Sequence, residues 1–301
     1  MNQTSIDQKQ WIGGESPVAV ILITLNEAHY LAEALENLKG WAQEIFIIDS
    51  FSKDKTVDIA LSYGVNIVQR SFQGFGDQWN FALNELPISA QWTMKMDPDE
   101  RLTDALKVNI MEEIRSNKAS GLEFSRRWWL MGKPLPIHDN VVRVWKTGRC
   151  KFSNVSVNEH PIIDGDVIFI NGIMEHLDSP NLHHWIQKQN SYSSSEAIAS
   201  YLKPELSTKP KFFGNSLQRR MWIKNNFYKI PGRYLILFVY FLLFRGLWKA
   251  GKVGYHSAKL WTDVYRWKEL KTFEMNITGK TPKEVVYGSG KPDSRVKQSI
   301  K

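Results

Sequence analysis

Two hydrophobic periods alternate through the first hundred residues. Val18 to Thr24 (VAVILIT) is an unbroken, β-branched apolar run, which predicts a strand buried on both faces. Leu31, Leu35 and Leu38 then recur at helical spacing up to Gly40. Ile45 to Asp49 predicts a second strand. Ser52 or Asp54 is placed to cap a helix carrying Val57, Ala60 and Leu61, and Gly64 to stop it. Val65 to Gln69 predicts a third strand, Trp79, Ala82, Leu83 and Leu86 one face of a third helix, and WTMKMD, ending at Asp97, a fourth strand. The order β-α-β-α-β-α-β argues for an α/β fold with a mainly parallel sheet flanked by helices.

Open α/β sheets bind ligands outside the carboxyl ends of their strands. Three polar clusters fall at such ends: Thr24-Leu25-Asn26-Glu27, Asp49-Ser50 and Asp97-Pro98-Asp99-Glu100. Any one of them is ordinary turn and cap chemistry, whereas three on one edge point to a site. Asp97 and Asp99 stand two apart, so in extended backbone they share a face, and Pro98 helps turn the chain out of the sheet. Such a pair suits Mg2+ or Mn2+ held together with substrate phosphates, where the cation neutralises the charge on a departing diphosphate.

Composition narrows the classes. A chain of 301 residues with 43% hydrophobic content can bury a substantial core. The single cysteine, Cys150, excludes an internal disulfide framework, and MNQTSIDQKQW lacks the apolar segment of a secretory signal, so cytosolic exposure is expected. The net charge of +8 is regional: Lys209 to Lys271 holds fourteen Lys and Arg against two acids, a local +12, which leaves −4 elsewhere. Aromatic residues crowd the same stretch, which contains the apolar run Tyr234 to Phe244 (YLILFVYFLLF). Eleven residues fall short of the ~20 a spanning helix needs. A buried core helix is the plain reading of the run. Its flanking Arg219, Arg220, Lys224, Lys229, Arg233, Arg245, Lys249 and Lys252, interleaved with Trp222, Tyr228 and Trp248, favour instead a monotopic contact with an anionic membrane surface. The expected organisation is an N-terminal extension (1–16), a catalytic domain (17–205), a basic, aromatic, helical membrane-associating region (206–275) and a polar, disordered tail (276–301).

VILITLNEAHYLAEALENLKGWAQEIFIIDSFSKDKTVDIA, then VQRSFQGFGDQWNFAL and MDPDERL, resemble the inverting glycosyltransferases of family 2, in particular the bacterial branch of the lipopolysaccharide core β-glucosyltransferases. The resemblance implies the GT-A fold and transfer of a hexose from a UDP-sugar to a hydroxyl of a lipid-linked saccharide in lipopolysaccharide or exopolysaccharide synthesis. The implied location is the cytoplasmic face of the inner membrane. It places Thr24, Asn26, Glu27 and Asp49 at the uridine and Arg70 near the nucleotide. Asp97 corresponds to the first acid of a DxD-type motif, near ribose and phosphate, and Asp99 to its metal-binding acid. Glu159, in VNEHP, matches the catalytic base, and His176, in MEHLD, a further metal ligand. Two positions depart from the pattern: Asn158 replaces a histidine, and Trp79 stands where lysine is usual.

A polyprenyl-phosphate sugar synthase would need no strong base, because phosphate is already anionic. A nucleic-acid-binding protein would use the basic aromatic region but leaves the acid clusters unexplained, so no nucleic-acid partner is expected. GFGDQW lacks the third glycine of a dinucleotide fingerprint, and GSGKP the upstream glycine of a phosphate loop. Trp128-Trp129 could make a sugar-stacking wall, although packed aromatics are commoner.

Overall fold

The structure, a computed structural model, describes residues 10–153, 160–202, 213, 226–282 and 290–298. The first four strands lie where the apolar runs predict: β1 Ser16–Thr24, β2 Ala42–Asp49, β3 Asn66–Gln69 and β4 Trp92–Lys95. Between them run α1 Ala28–Leu38, α2 Thr56–Tyr63 and α3 Phe75–Glu85. Gly64 closes α2 in the left-handed region at φ 69°, the conformation expected of a glycine stop. Alternation along β1 sorts its side chains. Val18, Val20 and Leu22 join the core under α1 and α2, while Ala19 and Ile21 join a second core with Trp79, Trp145 and Phe152.

The second half of the sheet has weaker sequence signals. It comprises β5 Glu100–Leu102, α4 Asp104–Ser116, β6 Gly121–Leu130, β7 Lys133–Lys146 and β10 Val167–His176, with a small separate pair, β8 Cys150–Phe152 and β9 Pro161–Ile163. A terminal strand, β11 Lys297–Gln298, completes a nine-stranded sheet of order β11-β3-β2-β1-β4-β7-β6-β10-β5. The expectation of a mainly parallel sheet is met through β1 to β4, but β7 runs antiparallel to β4 and β5 antiparallel to β10, so the whole sheet is mixed.

That order constrains the sheet's shape. β4 and β5 are four strand positions apart, about 19 Å in a flat sheet. The link from Lys95 to Glu100 reaches at most about 18 Å when fully extended. It is not extended, because Glu100 N donates to Asp97 O across a turn at 2.9 Å. The sheet therefore curls, and the Asp97 turn crosses from β4 to β5 over the ends of β7, β6 and β10.

The chain divides into two compact units, one of Met1–Trp128, His138–Asp178 and Val286–Lys301, the other of Trp129–Ile137 and Ser179–Val285. α5 Leu182–Tyr201 packs along the long helix α7 Gly251–Thr278, with Lys268 Nζ 2.8 Å from Glu196 Oε2 and Lys271 Nζ 2.7 Å from Asn190 O. Helix α7 runs to Thr278, and residues 290–298 lie against the first unit with Val296 in its core, because this short stretch pairs with the open edge of β3.

In the second unit the run from Tyr234 splits into α6 Arg233–Val239 and a π-helical turn, Tyr240–Phe244. Phe238 and Phe241 face α7 through Tyr255 and Trp261, while Leu235, Ile236, Leu243 and Phe244 are exposed. No single helix among the described residues is long and apolar enough to cross a membrane, although the bent pair Arg233–Phe244 and Leu247–Thr278 passes that test together.

Strand β10 depends on one glycine. Its pairing with β6 slips between Phe169 and Ile173, and there Gly172 adopts φ 126°, with the place of a Cβ only 2.9 Å from Leu106 of α4. Gly172→Ala therefore has to move α4 and strain the backbone. A loss of about 1–3 kcal/mol in urea unfolding is expected.

Candidate active site

The β1 and β2 ends meet around Asp49, a fully buried carboxylate. Its Oδ1 accepts from Thr24 Oγ1 at 3.0 Å and Ser52 Oγ at 2.5 Å. Its Oδ2 accepts from Ser52 N at 2.9 Å and Gln69 Nε2 at 2.8 Å. Four bonds occupy the roughly four acceptor positions of a carboxylate. Asp49 thus acts here as the knot of the loop, leaving more exposed groups to face a ligand. Asn26 is one of them. Held at φ 58°, it donates its N to Ser52 Oγ at 2.8 Å and accepts from Lys53 N at Oδ1 at 2.7 Å. Glu27 is half-buried beside it, its N bonded to Thr56 Oγ1 at 2.9 Å. Arg70, at the end of β3, is buried and pairs with Asp77 and with Gln78 Oε1, so its charge is engaged within α3.

The turn after β4 holds a second, more strongly charged group. Glu100 is completely buried, and Arg143 of β7 reaches both its Oε1 and Asp97 Oδ2, the latter at 3.0 Å. Arg126 of β6 adds a contact to Glu100 at 3.3 Å, and Glu100 Oε2 in turn accepts Asp97 N at 2.9 Å. Burial alone would push the Asp97 carboxyl up, but Arg143 and Lys95 outweigh it and hold the group below the usual carboxylate range. Arg143 moves the other way: burial opposes its charge, and the Glu100 and Asp97 carboxylates more than restore it. Both groups stay ionised.

Beside this pair lies a metal-like cluster. Asp99, His176 and Asp178 are all buried and bring one potential ligand atom each within 4.8 Å of one another. His176 Nε2 is 3.2 Å from Asp99 Oδ2, and its buried Nδ1 has no hydrogen-bond partner among the described residues. A buried imidazole with one potential ligand atom within reach of two carboxylates fits a divalent cation. Burial works against charge on His176, yet the Asp99 carboxylate prevails and raises it above the usual imidazole value. Trp128 stands edge-on to His176 at 4.5 Å between ring centres and donates Nε1 to Asp139 Oδ2 at 2.5 Å.

The fold thus gathers Thr24, Asn26, Glu27 and Asp49 at one pair of strand ends and Asp97, Asp99 and His176 at the turn after β4. Glu159 and Asn158 lie outside the described residues. Of the other acids near the turn, Asp139 is engaged by Trp128, and Glu175 pairs with Arg127. Sequence reading missed Asp178, Arg143 and Arg126. For Asp178 a signal existed, since HLD repeats the two-residue spacing of Asp97 and Asp99. The two arginines carry no local sign.

Residues 19–137 match the family model described as Glycosyl transferase family 2. An uncharacterized glycosyltransferase of Rickettsia prowazekii (strain Madrid E) is 26% identical over 197 residues, 60% of this chain and 66% of that protein. Another, from Rickettsia typhi, is 26% identical over 199 residues with the same coverage. The chain therefore spans slightly less than two thirds of these relatives' length. Among solved structures, residues 1–349 of S. aureus TarS in complex with UDP-GlcNAc superpose with a TM-score of 0.45 at 13% identity, covering 91% of this chain and 99% of that one.

Two outcomes are expected of the cluster. His176→Ala and Asp178→Asn each weaken Mn2+ binding, read by calorimetry, by at least about tenfold. Because a protonated imidazole cannot ligate and His176 is raised, wild-type affinity falls with pH already above the ordinary imidazole value of about 6.5, by up to about tenfold per unit. His176→Ala removes that slope.

Proposed function

We propose that this protein is an inverting, metal-dependent GT-A glycosyltransferase that moves a hexose from a UDP-sugar to a hydroxyl of a lipid-linked saccharide. The observation that carries this reading is the placement of the Asp99, His176 and Asp178 cluster beside the ionised Asp97 within a curled α/β sheet whose first part matches the family 2 model. In this reading the donor nucleoside lies against Thr24, Asn26, Glu27 and the Asp49 loop, with Arg70 supporting that end. Asp97 faces ribose and phosphate. Asp99, His176 and Asp178 hold the cation, and an imidazole beside two carboxylates serves Mn2+ better than Mg2+, which demands near-ideal octahedral oxygen geometry. When bound, the metal neutralises charge developing on the departing diphosphate. Arg143 and Arg126 keep the turn in place, and Glu159 takes the acceptor's hydroxyl proton as the sugar transfers.

An acceptor attached to lipid accords with the second unit, whose exposed Leu235, Ile236, Leu243, Phe244 and Trp248 lie among Arg233, Arg245, Lys249 and Lys252. Exposed apolar side chains flanked by cations suit an anionic bilayer surface at the cytoplasmic face of the inner membrane, bound without spanning.

A donor panel tests the reading. Full-length protein with Mn2+ and a set of nucleotide sugars releases nucleoside diphosphate from one of them, and EDTA abolishes the release. Asp99→Asn lowers turnover by orders of magnitude, and Glu159→Gln lowers transfer by roughly 10²–10⁴-fold while donor binding survives. Full activity in EDTA contradicts the metal role, and undiminished transfer by the Glu159 variant contradicts the base.

The surface is tested separately. The protein sediments with anionic liposomes at low salt and is released as salt rises, while Phe244→Glu with Leu243→Glu prevents sedimentation. Equal binding to neutral vesicles would count against the charged surface.

A further inference from the structure

The donor reading leaves residues 290–298 without a role, although they lie at the nucleotide end of the sheet. β11 pairs in parallel with the outer edge of β3, Lys297 against Val68 and Gln298 against Gln69. An edge strand that served only to cover β3 would need nothing more. This segment makes further contacts, and they run to the β2–α2 loop. Asp293 N donates to Gln69 Oε1 at 2.7 Å, while the same amide donates Nε2 to Asp49 Oδ2 at 2.8 Å. Both ends of the Gln69 amide are thereby committed, and a flip would put like groups against like at each. From Asp49 the bonds continue through Ser52 to the backbone of Asn26. An unbroken relay thus joins the C-terminal segment to groups at the β1 and β2 ends.

Two more contacts hold the segment to the loop and to α2. Arg295 Nη2 lies 2.7 Å from Asp58 Oδ1 of α2 and 2.6 Å from Asp293 Oδ2. Gly290 passes so close to the loop that a Cβ there would stand 2.1 Å from Phe51 O, a distance no side chain tolerates. Phe51 itself is in the left-handed region at φ 58°, a conformation that a non-glycine residue keeps only when its surroundings impose it. Between loop and segment is a cavity of about 340 Å³ with Ser52, Asp54, Gln69, Lys291 and Arg295 in its wall.

We propose that Gly290–Lys297 is a working part of the donor site, a clamp that fixes the Phe51–Asp54 loop and, through Gln69, orients Asp49 and Asn26 for a nucleoside diphosphate. The inference rests on the donor reading above. It makes Arg295 and Gly290 positioning residues, since they act through the loop.

The test is calorimetric binding of UDP with Mn2+ to the full-length protein and three variants. Arg295→Ala and Gly290→Val raise Kd by about tenfold, Arg295→Lys stays within about threefold of wild type, and the unliganded Tm of Arg295→Ala moves by no more than ~4 °C. Arg295 is half-exposed and Val296 stays in place, so the alanine variant keeps its core. Unchanged Kd in both Arg295→Ala and Gly290→Val overturns the clamp and leaves the donor reading intact. A lowered Tm with unchanged Kd makes the segment structural only and overturns it too. Wild-type protein that binds no nucleoside diphosphate with Mn2+ overturns the donor reading, and the clamp with it.

Discussion

The pairing of Glu100 with Arg143 in the interior governs how the second half of this protein can be built. Neither charge reaches water, and an isolated buried ion costs several kcal/mol, so each requires the other at hydrogen-bonding distance. One belongs to the turn that leaves β4, the other to the strand beside it, and Arg126 brings in a third strand. The turn is thereby held over the mouth of the curled sheet, which sets where Asp97 and Asp99 stand relative to β10 and His176. A hydrophobic substitute of equal volume could fill the same space. It could not supply the positive charge that keeps Asp97 ionised beside the buried Glu100.

The two halves of the sheet were unequally legible for a physical reason. Strands β1 to β3 are apolar runs, and their helices repeat leucine or alanine at helical spacing, so local pattern and tertiary role coincide. β5 has three residues and β6 mixes Arg126, Arg127, Trp128 and Trp129 with apolar positions, so neither period stands out. The acid cluster at Asp97 was visible as composition, yet its internal division was not. Glu100 is a structural counter-ion, Asp97 faces Arg143, and only Asp99 turns to the histidine, a sorting decided by residues 43 to 77 positions away. β11 is hidden for a related reason: polar composition gives no strand signal, and the stretch 290–298 is held by one buried valine and an open strand edge.

The second unit shows how an apolar run can have two fates at once. Helical geometry sends Phe238 and Phe241 toward α7 and leaves Leu235, Ile236 and Phe244 outside. Gly254 permits the close approach behind this arrangement, since a Cβ there would overlap the carbonyl of Leu247 at 1.7 Å. Arg233 and Tyr234 both bond Glu269, a partly exposed carboxylate whose proton is held less tightly than usual: burial opposes that shift, and the bonds from Arg233 and Tyr234 outweigh it. The start of α6 is thus tied to α7 by polar bonds, while its apolar residues divide between a packed and an open face.

The parallel pairing of β11 with β3 also bears on how the chain is made. A ribosome releases β3 more than two hundred residues before Lys297, so throughout synthesis of the middle of the protein β3 presents an unsatisfied row of backbone donors and acceptors. Such an edge invites pairing with a neighbouring nascent chain until the strand that closes it has been made. Products that lack β11 would keep that edge open, which makes this strand a safeguard against aggregation during translation.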